Sequence, residues 1–382
     1  MNHPRIHSCI NWCAIILFLI PIVTTTTAPT LWGIFNPISP VFIFGGLCLL
    51  FFNHISIKDC FASKDKEFFL TIGGILLSIV NMILVRSRIG AFFTISSFLL
   101  ILYLANKIRF DKVQLTSIAV TCFFIWFYWQ FISNSQYGQT DFNPNGLALV
   151  IFAYFCIIIC YFMYAFPTYF HIPKWFYHIL ILLLIFFITR RALSFKSRCT
   201  LIAITTWFIT YYLLPKKKYT ISLVLGVSLF MPIVYVLLWK SGLVDNITIL
   251  GKRFASGRDF IWYEFFKVFI RHPLTGIGSD FDRMLPNLIY KNAHHALLNF
   301  LFVHGLPVLL VVLYLLYKRI SDVISSPSSP VSTACLASIY GMIATGSLEN
   351  FYILAPFNAL FLTIFVISNT YAQEQATPHR SQ

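Results

Sequence analysis

Charge is the scarcest thing in this chain. Only 11% of its 382 residues are Asp, Glu, Lys or Arg, and just 13 of those are acidic. With so little polar surface the chain cannot cover a water-soluble globule, which excludes soluble enzymes and soluble binding domains. Cysteine pairs at CxxC spacing are missing as well. The nine cysteines lie scattered in apolar runs, and the i,i+4 pairs Cys9/Cys13 and Cys156/Cys160 read as small hydrophobes, giving neither a disulfide framework nor a zinc site. Neither a strand nor a βαβ pattern frames Gly276 and Gly278, so they form no dinucleotide fingerprint and read instead as a tight turn.

What fills the chain is apolar: 58% of the residues are hydrophobic and the mean hydropathy is +0.78. Runs of roughly 17 to 25 apolar residues, enough to cross a hydrocarbon core as helix, recur from one end to the other. Breaks at charged, Pro-rich or Asn/Gly-rich punctuation give twelve spans, at 12–28, 38–53, 68–85, 91–106, 115–132, 145–166, 175–189, 199–214, 220–239, 296–317, 331–346 and 352–370. The first run ends in TTTTAPT, which offers no small-x-small cleavage site, so it reads as a helix and not as a signal peptide. The expected fold is all-α: one integral membrane domain over 1–382, with a long extracytoplasmic loop, 240–295, between the ninth and tenth helices.

Lys and Arg in the connections set the orientation, because translocating them is unfavourable. With the N-terminus cytoplasmic, the inner segments hold Arg5, then Lys58, Lys64 and Lys66, then Lys107, Arg109 and Lys112, then Lys174, then Lys216, Lys217 and Lys218, then Lys318 and Arg319, then Arg380. The outer connections near 29–37, 133–144 and 347–351 carry no Lys or Arg. Both termini are therefore expected in the cytoplasm. The net charge of +15 is then topogenic and points to no nucleic acid. Two short outer turns break the rule: VRSRIG holds Arg86 and Arg88, and TRRALSFKSR holds Arg190, Arg191, Lys196 and Arg198. Either these arginines snorkel to lipid headgroups, or they converge on a phosphorylated substrate whose oxygens their planar forks hold in pairs.

Within the long loop, 258–271 places Phe260, Ile261, Trp262, Phe265, Phe266, Phe269 and Ile270 among Asp259, Glu264 and Lys267. This predicts an amphipathic helix at the membrane surface, stopped by Pro273. Gly257-Arg258, Ile261-Trp262, His272-Pro273-Leu274, Gly276, Gly278 and Phe281 resemble the GR-x-x-IW, HPL-x-G-x-G and F pattern of the O-antigen ligase and polymerase superfamily. His294 through Gly305 is similar to that family's H-N-x-x-L-x-x-L-x-x-x-G element, and Ser197-Arg198-Cys199-Thr200-Leu201 to its SR-x-x-L element at a helix mouth. The chain departs from the pattern at His295, where the family has Asn, and at Val303 and His304, where an acidic residue often precedes the glycine. Spacing to Gly305 favours His294 over His295 as the reactive imidazole, and both stay candidates.

The resemblance implies a glycosyltransferase of the bacterial cytoplasmic (inner) membrane, acting on its extracytoplasmic face. No ATP or nucleotide sugar is supplied there, so the donor arrives activated, as an oligosaccharide on a polyprenyl pyrophosphate. The acceptor is a glycan hydroxyl, and a flippase, a chain-length regulator and membrane lipid are the implied partners. Guanidinium groups would hold the departing pyrophosphate: Arg258 and Arg198 first, with Arg191, Arg190 and Arg88 behind them. His294 or His295 would take the proton from the attacking hydroxyl. No cofactor is implied, and no metal: Asp280 and Asp282 match a three-letter D-x-D, but the arginines already supply the positive charge. Asn143 and Asn145, in an outer turn, offer amides to sugar hydroxyls, and Glu349, in an otherwise uncharged outer loop, is either solvated or orients a catalytic His or Arg. Polymerisation of repeat units is the expected reaction, since no dedicated surface for a lipid A core stands out. The alternatives are a ligase using the same donor and, in a different class, a flippase, which would need basic residues along a transmembrane path.

Overall fold

The computed structural model describes residues 4–27, 29–133, 144–169, 173–244, 247–254, 257–286, 288 and 292–376. Nearly all of it is helix. In chain order these are α1 (Pro4–Thr27), α2 (Pro29–His54), α3 (Ile57–Ala62), α4 (Lys66–Val85), α5 (Ile89–Leu104), α6 (Lys112–Phe127), α7 (Pro144–Tyr169), α8 (Lys174–Ser194), α9 (Arg198–Tyr212) and α10 (Tyr219–Lys240). A two-stranded ladder, β1 (Thr248–Ile249) and β2 (Lys252–Arg253), precedes α11 (Arg258–Phe269) and the single turn α12 (Phe281–Met284). The chain ends with α13 (Ala296–His304), α14 (Leu306–Ser325), α15 (Pro330–Gly346) and α16 (Phe357–Ala376). Among the described residues, seven stretches are long and apolar enough to cross a membrane: Ile6–Thr27, Pro37–His54, Lys66–Val85, Lys112–Ile132, Asn145–Pro167, Trp175–Ser194 and Tyr219–Lys240. Of the other expected spans, α5, α9 and α15 have 16, 15 and 17 residues, short of the roughly 20 that a full crossing takes.

The core forms around α7. Its apolar window is 83% buried, against 28–39% for the other six, because it is hydrophobic all round and has no polar face to turn outward. Helix α15 lies close on it: a methyl group at Gly341 would come within 2.6 Å of the Phe152 ring. Trp207 of α9 fills the adjoining space, stacked on Tyr211 with centroids 5.0 Å apart, and its indole N–H donates to the Ser338 hydroxyl over 3.0 Å. One group of charges within the bundle lies around Arg319 and Lys107. There the wholly buried Arg319 pairs with Glu67 and with Asp322, and Lys107 pairs with Asp65 at 2.8 Å. Removing one partner of such a buried pair leaves a charge in low dielectric, a loss of about 3 kcal/mol or more.

The span expected at 296–317 is two helices. Gly305 breaks it with φ +83, and a methyl group there would sit 2.1 Å from the Leu274 carbonyl oxygen. The break works because the carbonyls it orphans find donors from other segments. Ile277 N–H donates to Phe302 O over 2.7 Å and Gly278 N–H to Val303 O over 3.3 Å, while the Asn81 side chain donates to His304 O over 2.5 Å. The HPLTGIG turn is thus a backbone cap on a helix end. Helix α11 forms close to the expected place. However, its apolar face packs on protein: Ile261, Trp262 and Phe265 are buried with Ile277, Leu298 and Phe302.

Candidate functional site

Three of the predicted elements meet at one carboxylate. Gly257, in the left-handed region, turns the chain into α11 and sets Arg258 at its first position. The Arg258 guanidinium donates through Nε to Leu348 O over 3.0 Å and through Nη2 to Glu349 Oε1 over 2.6 Å. The other Glu349 oxygen, Oε2, lies 2.9 Å from His294 Nδ1. Only 14% of each Arg258 and Glu349 side chain is exposed, and 23% of His294. Burial alone would raise the Glu349 pKa, but the hydrogen bonds and charges of His294 and Arg258 outweigh it and hold the carboxyl below its usual range. An ionised carboxylate only accepts, so in the neutral imidazole Nδ1 carries the proton and Nε2 presents its lone pair.

The backbone under His294 is held out of its ordinary range, with φ +46. A non-glycine residue in that region costs of order 1–3 kcal/mol and persists only where its surroundings impose it. Here they do. The His294 N–H donates to Asn292 Oδ1 over 3.0 Å, Asn350 Nδ2 donates to the same oxygen over 2.5 Å, and the Trp262 indole N–H donates to Ala293 O over 2.7 Å.

His295 occupies a different environment. It is fully buried, and each ring nitrogen has a partner: Nδ1 accepts from Leu298 N–H over 3.1 Å, capping α13, and Nε2 donates to Ser228 O over 2.8 Å. Its N–H donates to Asn350 Oδ1 over 2.7 Å. Of the two candidate imidazoles, His295 has both ring nitrogens committed to backbone groups and His294 has Nε2 turned away from its carboxylate partner. His304 is also buried.

Arg198 reaches the same region from α9, whose N-terminus Ser197 caps by accepting from Thr200 N–H. Arg198 Nη1 donates to Arg253 O over 2.9 Å and to Phe254 O over 3.3 Å. Arg198 and Arg258 line one cavity of about 650 Å³, together with Lys252, Tyr235 and Asn145. Away from these groups the walls turn apolar, with Leu201 and Ile209 from α9, Leu223 and Val227 from α10, and Ile343 from α15. The cavity follows α9 from Arg198 to beyond its far end at Leu214, a trough roughly 24 Å long at 1.5 Å per residue. Ile209, Leu223 and Val227 are exposed along it, so it opens sideways between α9 and α10.

The remaining predicted arginines lie elsewhere. Arg191 caps the π-turn Tyr128–Ile132 that ends α6, donating through Nε to Trp129 O over 2.9 Å and through Nη2 to Ser133 O over 2.6 Å. Arg190 is exposed on α8 and Arg88 pairs with Asp280 at 3.3 Å; neither lines the cavity. Asn143 and Lys291 fall outside the described residues. Sequence reasoning left Glu349 undecided and missed Asn292, Asn350 and Lys252. The signal for Glu349 was its isolation, for it is the single acidic residue between Asp322 and Glu374. In comparisons with known proteins the chain matches no family model, and no curated protein sequence is significantly similar to it.

Proposed function

We propose that the chain is a membrane glycosyltransferase that moves an oligosaccharide from a polyprenyl pyrophosphate to a sugar hydroxyl, polymerising the repeat units of a bacterial surface polysaccharide. The observation that carries this reading is a single cavity with Arg198 and Arg258 at one end and an apolar trough along α9 and α10 behind them. That is the shape of an anionic head on a long isoprenoid tail. An imidazole stands beside the same head, because Glu349 bridges Arg258 and His294. In this reading the chain spans the bacterial inner membrane, with both termini cytoplasmic and the site on the extracytoplasmic side.

In the reaction the bond between the anomeric carbon and the phosphate oxygen breaks, and the pyrophosphate gains the electron pair. Guanidinium groups fixed in advance stabilise that charge without reorganising. The acceptor oxygen attacks the anomeric carbon, and His294 Nε2 takes its proton. Glu349 fixes the ring's tautomer and stabilises the imidazolium that forms. The test is purified protein in detergent with a lipid-linked repeat unit as sole substrate: lengthened glycan supports transfer, and unchanged substrate refutes it. A ligase would share the donor chemistry. Deletion in cells separates the two, since loss of a polymerase leaves surface glycan of one repeat and loss of a ligase leaves long chains on the carrier lipid.

A further inference from the structure

We propose that Lys252 is a third cation for the pyrophosphate, carried on a hairpin that straps the mouth of the trough; this rests on the function proposed above and names a residue that sets its specificity. Charge balance makes the case first. The pyrophosphate of a lipid-linked sugar bears two negative charges, and cleavage of the sugar bond adds a third. Arg258 is already matched by the Glu349 carboxylate at 2.6 Å. Of the two arginines, Arg258 then contributes hydrogen bonds with its net charge already balanced, which leaves a deficit against the growing charge that a further cation would meet. Lys252 lines the cavity beside both arginines, and no carboxylate is among the described residues that line it.

The hairpin is built to hold that lysine in place. Strands β1 and β2 pair Thr248 with Arg253 and Ile249 with Lys252. The two turn residues, Leu250 and Gly251, both have positive φ, +55 and +73, as the tightest two-residue hairpin turn requires. Tyr235 donates its hydroxyl to Phe254 O and stacks on the Phe254 ring, centroids 4.9 Å apart. Lys252 Nζ itself donates to Lys196 O over 3.2 Å. Arg198 holds the strap through Nη1 alone, and among the described residues no acceptor engages its Nε or Nη2. One guanidinium can therefore grip the strap and a phosphate together, so ligand and strap position are coupled. An ammonium group, a point charge on a flexible stem, suits a second phosphate whose orientation varies as the sugar leaves.

The full-length protein in detergent, titrated with farnesyl diphosphate and with farnesyl monophosphate, tests this. Lys252→Gln should weaken diphosphate binding about tenfold, the value of one charge-assisted hydrogen bond, and monophosphate binding by no more than about threefold. Lys252→Arg should recover most of the loss. Arg253→Gln, the same charge change on the exposed side of the strap, should alter neither. Wild-type binding by Lys252→Gln, or equal losses from Lys252→Gln and Arg253→Gln, would overturn the assignment. Wild-type protein that binds farnesol as well as it binds farnesyl diphosphate would sink the functional reading itself, and Lys252 with it.

Discussion

Replacing Glu349 with glutamine keeps the shape of the side chain and removes its charge. Two groups feel this at once, because one carboxylate oxygen is 2.6 Å from Arg258 and the other 2.9 Å from His294. With both partners largely buried, stripping the charge leaves Arg258 without its counter-ion, and the fold should lose about 3 kcal/mol. The larger effect should fall on catalysis. A neutral amide can present its N–H to Nδ1 as readily as its oxygen, so the imidazole is no longer held in the tautomer that leaves Nε2 basic. The matching change in the Ser-His-Asp triad lowers kcat by roughly 10⁴-fold, and a loss of about 10³-fold or more is expected here in the lipid-linked transfer assay, with KM for the donor changed far less. Glu349→Asp should retain part of the activity. Activity of Glu349→Gln within about threefold of wild type, with His294→Ala inactive, would refute the argument.

His294→Ala should fold normally and fail to transfer, whereas His295→Ala should lower the melting temperature, since it leaves Leu298 N–H and Ser228 O without their partner at about 1–3 kcal/mol per buried group; melting curves and turnover on the two variants separate the roles. Arg198→Ala and Arg258→Ala should each cost transfer about 3 kcal/mol, or more than 100-fold, while Arg88→Ala should leave it intact and Arg191→Ala should destabilise the fold. The Glu349 linkage has a definite sign: its folded pKa lies below the unfolded one, so the pairing stabilises fully above the ordinary carboxylate range and the benefit disappears as pH falls through the lower folded value. The stability gap between wild type and Glu349→Gln should close over that interval in an unfolding series against pH. Gly305→Ala should destabilise strongly, as its methyl would strike Leu274 O, and an unchanged melting temperature would disprove the close approach.

Periodicity and hydropathy carried the long helices because a membrane bundle satisfies its backbone within each segment, so α1, α2 and α4 through α10 follow from composition and punctuation, while the short α3 does not. The same rules failed at Gly305. There the orphaned carbonyls are satisfied by Ile277, Gly278 and Asn81, and no local pattern announces a partner more than 200 residues away. Arginine positions were legible only in part. Arg198 and Arg258 follow a helix start, Ser197 or Gly257, that aims them; Arg191 is drawn instead to the carbonyls of the π-turn, an irregularity that hydropathy does not encode. The surroundings of His294 and His295 differ through one residue of backbone. His294 takes positive φ and His295 an extended conformation, which sends one imidazole to the Glu349 carboxylate and its neighbour to a helix cap.

The break in α13/α14 also explains how a histidine reaches this position. His295 bonds to Ser228, nine residues into the 22-residue α10, which puts it roughly 13 Å from one end of that helix and about 18 Å from the other. An unbroken helix running on from α14 would carry His294 about 18 Å beyond Leu306 along that helix's axis. A nine-residue α13, set off from α14 at Gly305, places its N-terminus beside the Arg258–Glu349 pair, where burial makes charge–charge interactions stronger. In the proposed reaction the lipid would enter sideways through the open wall between α9 and α10. Narrowing that wall by mutation should therefore raise KM for the lipid donor and leave the acceptor's untouched.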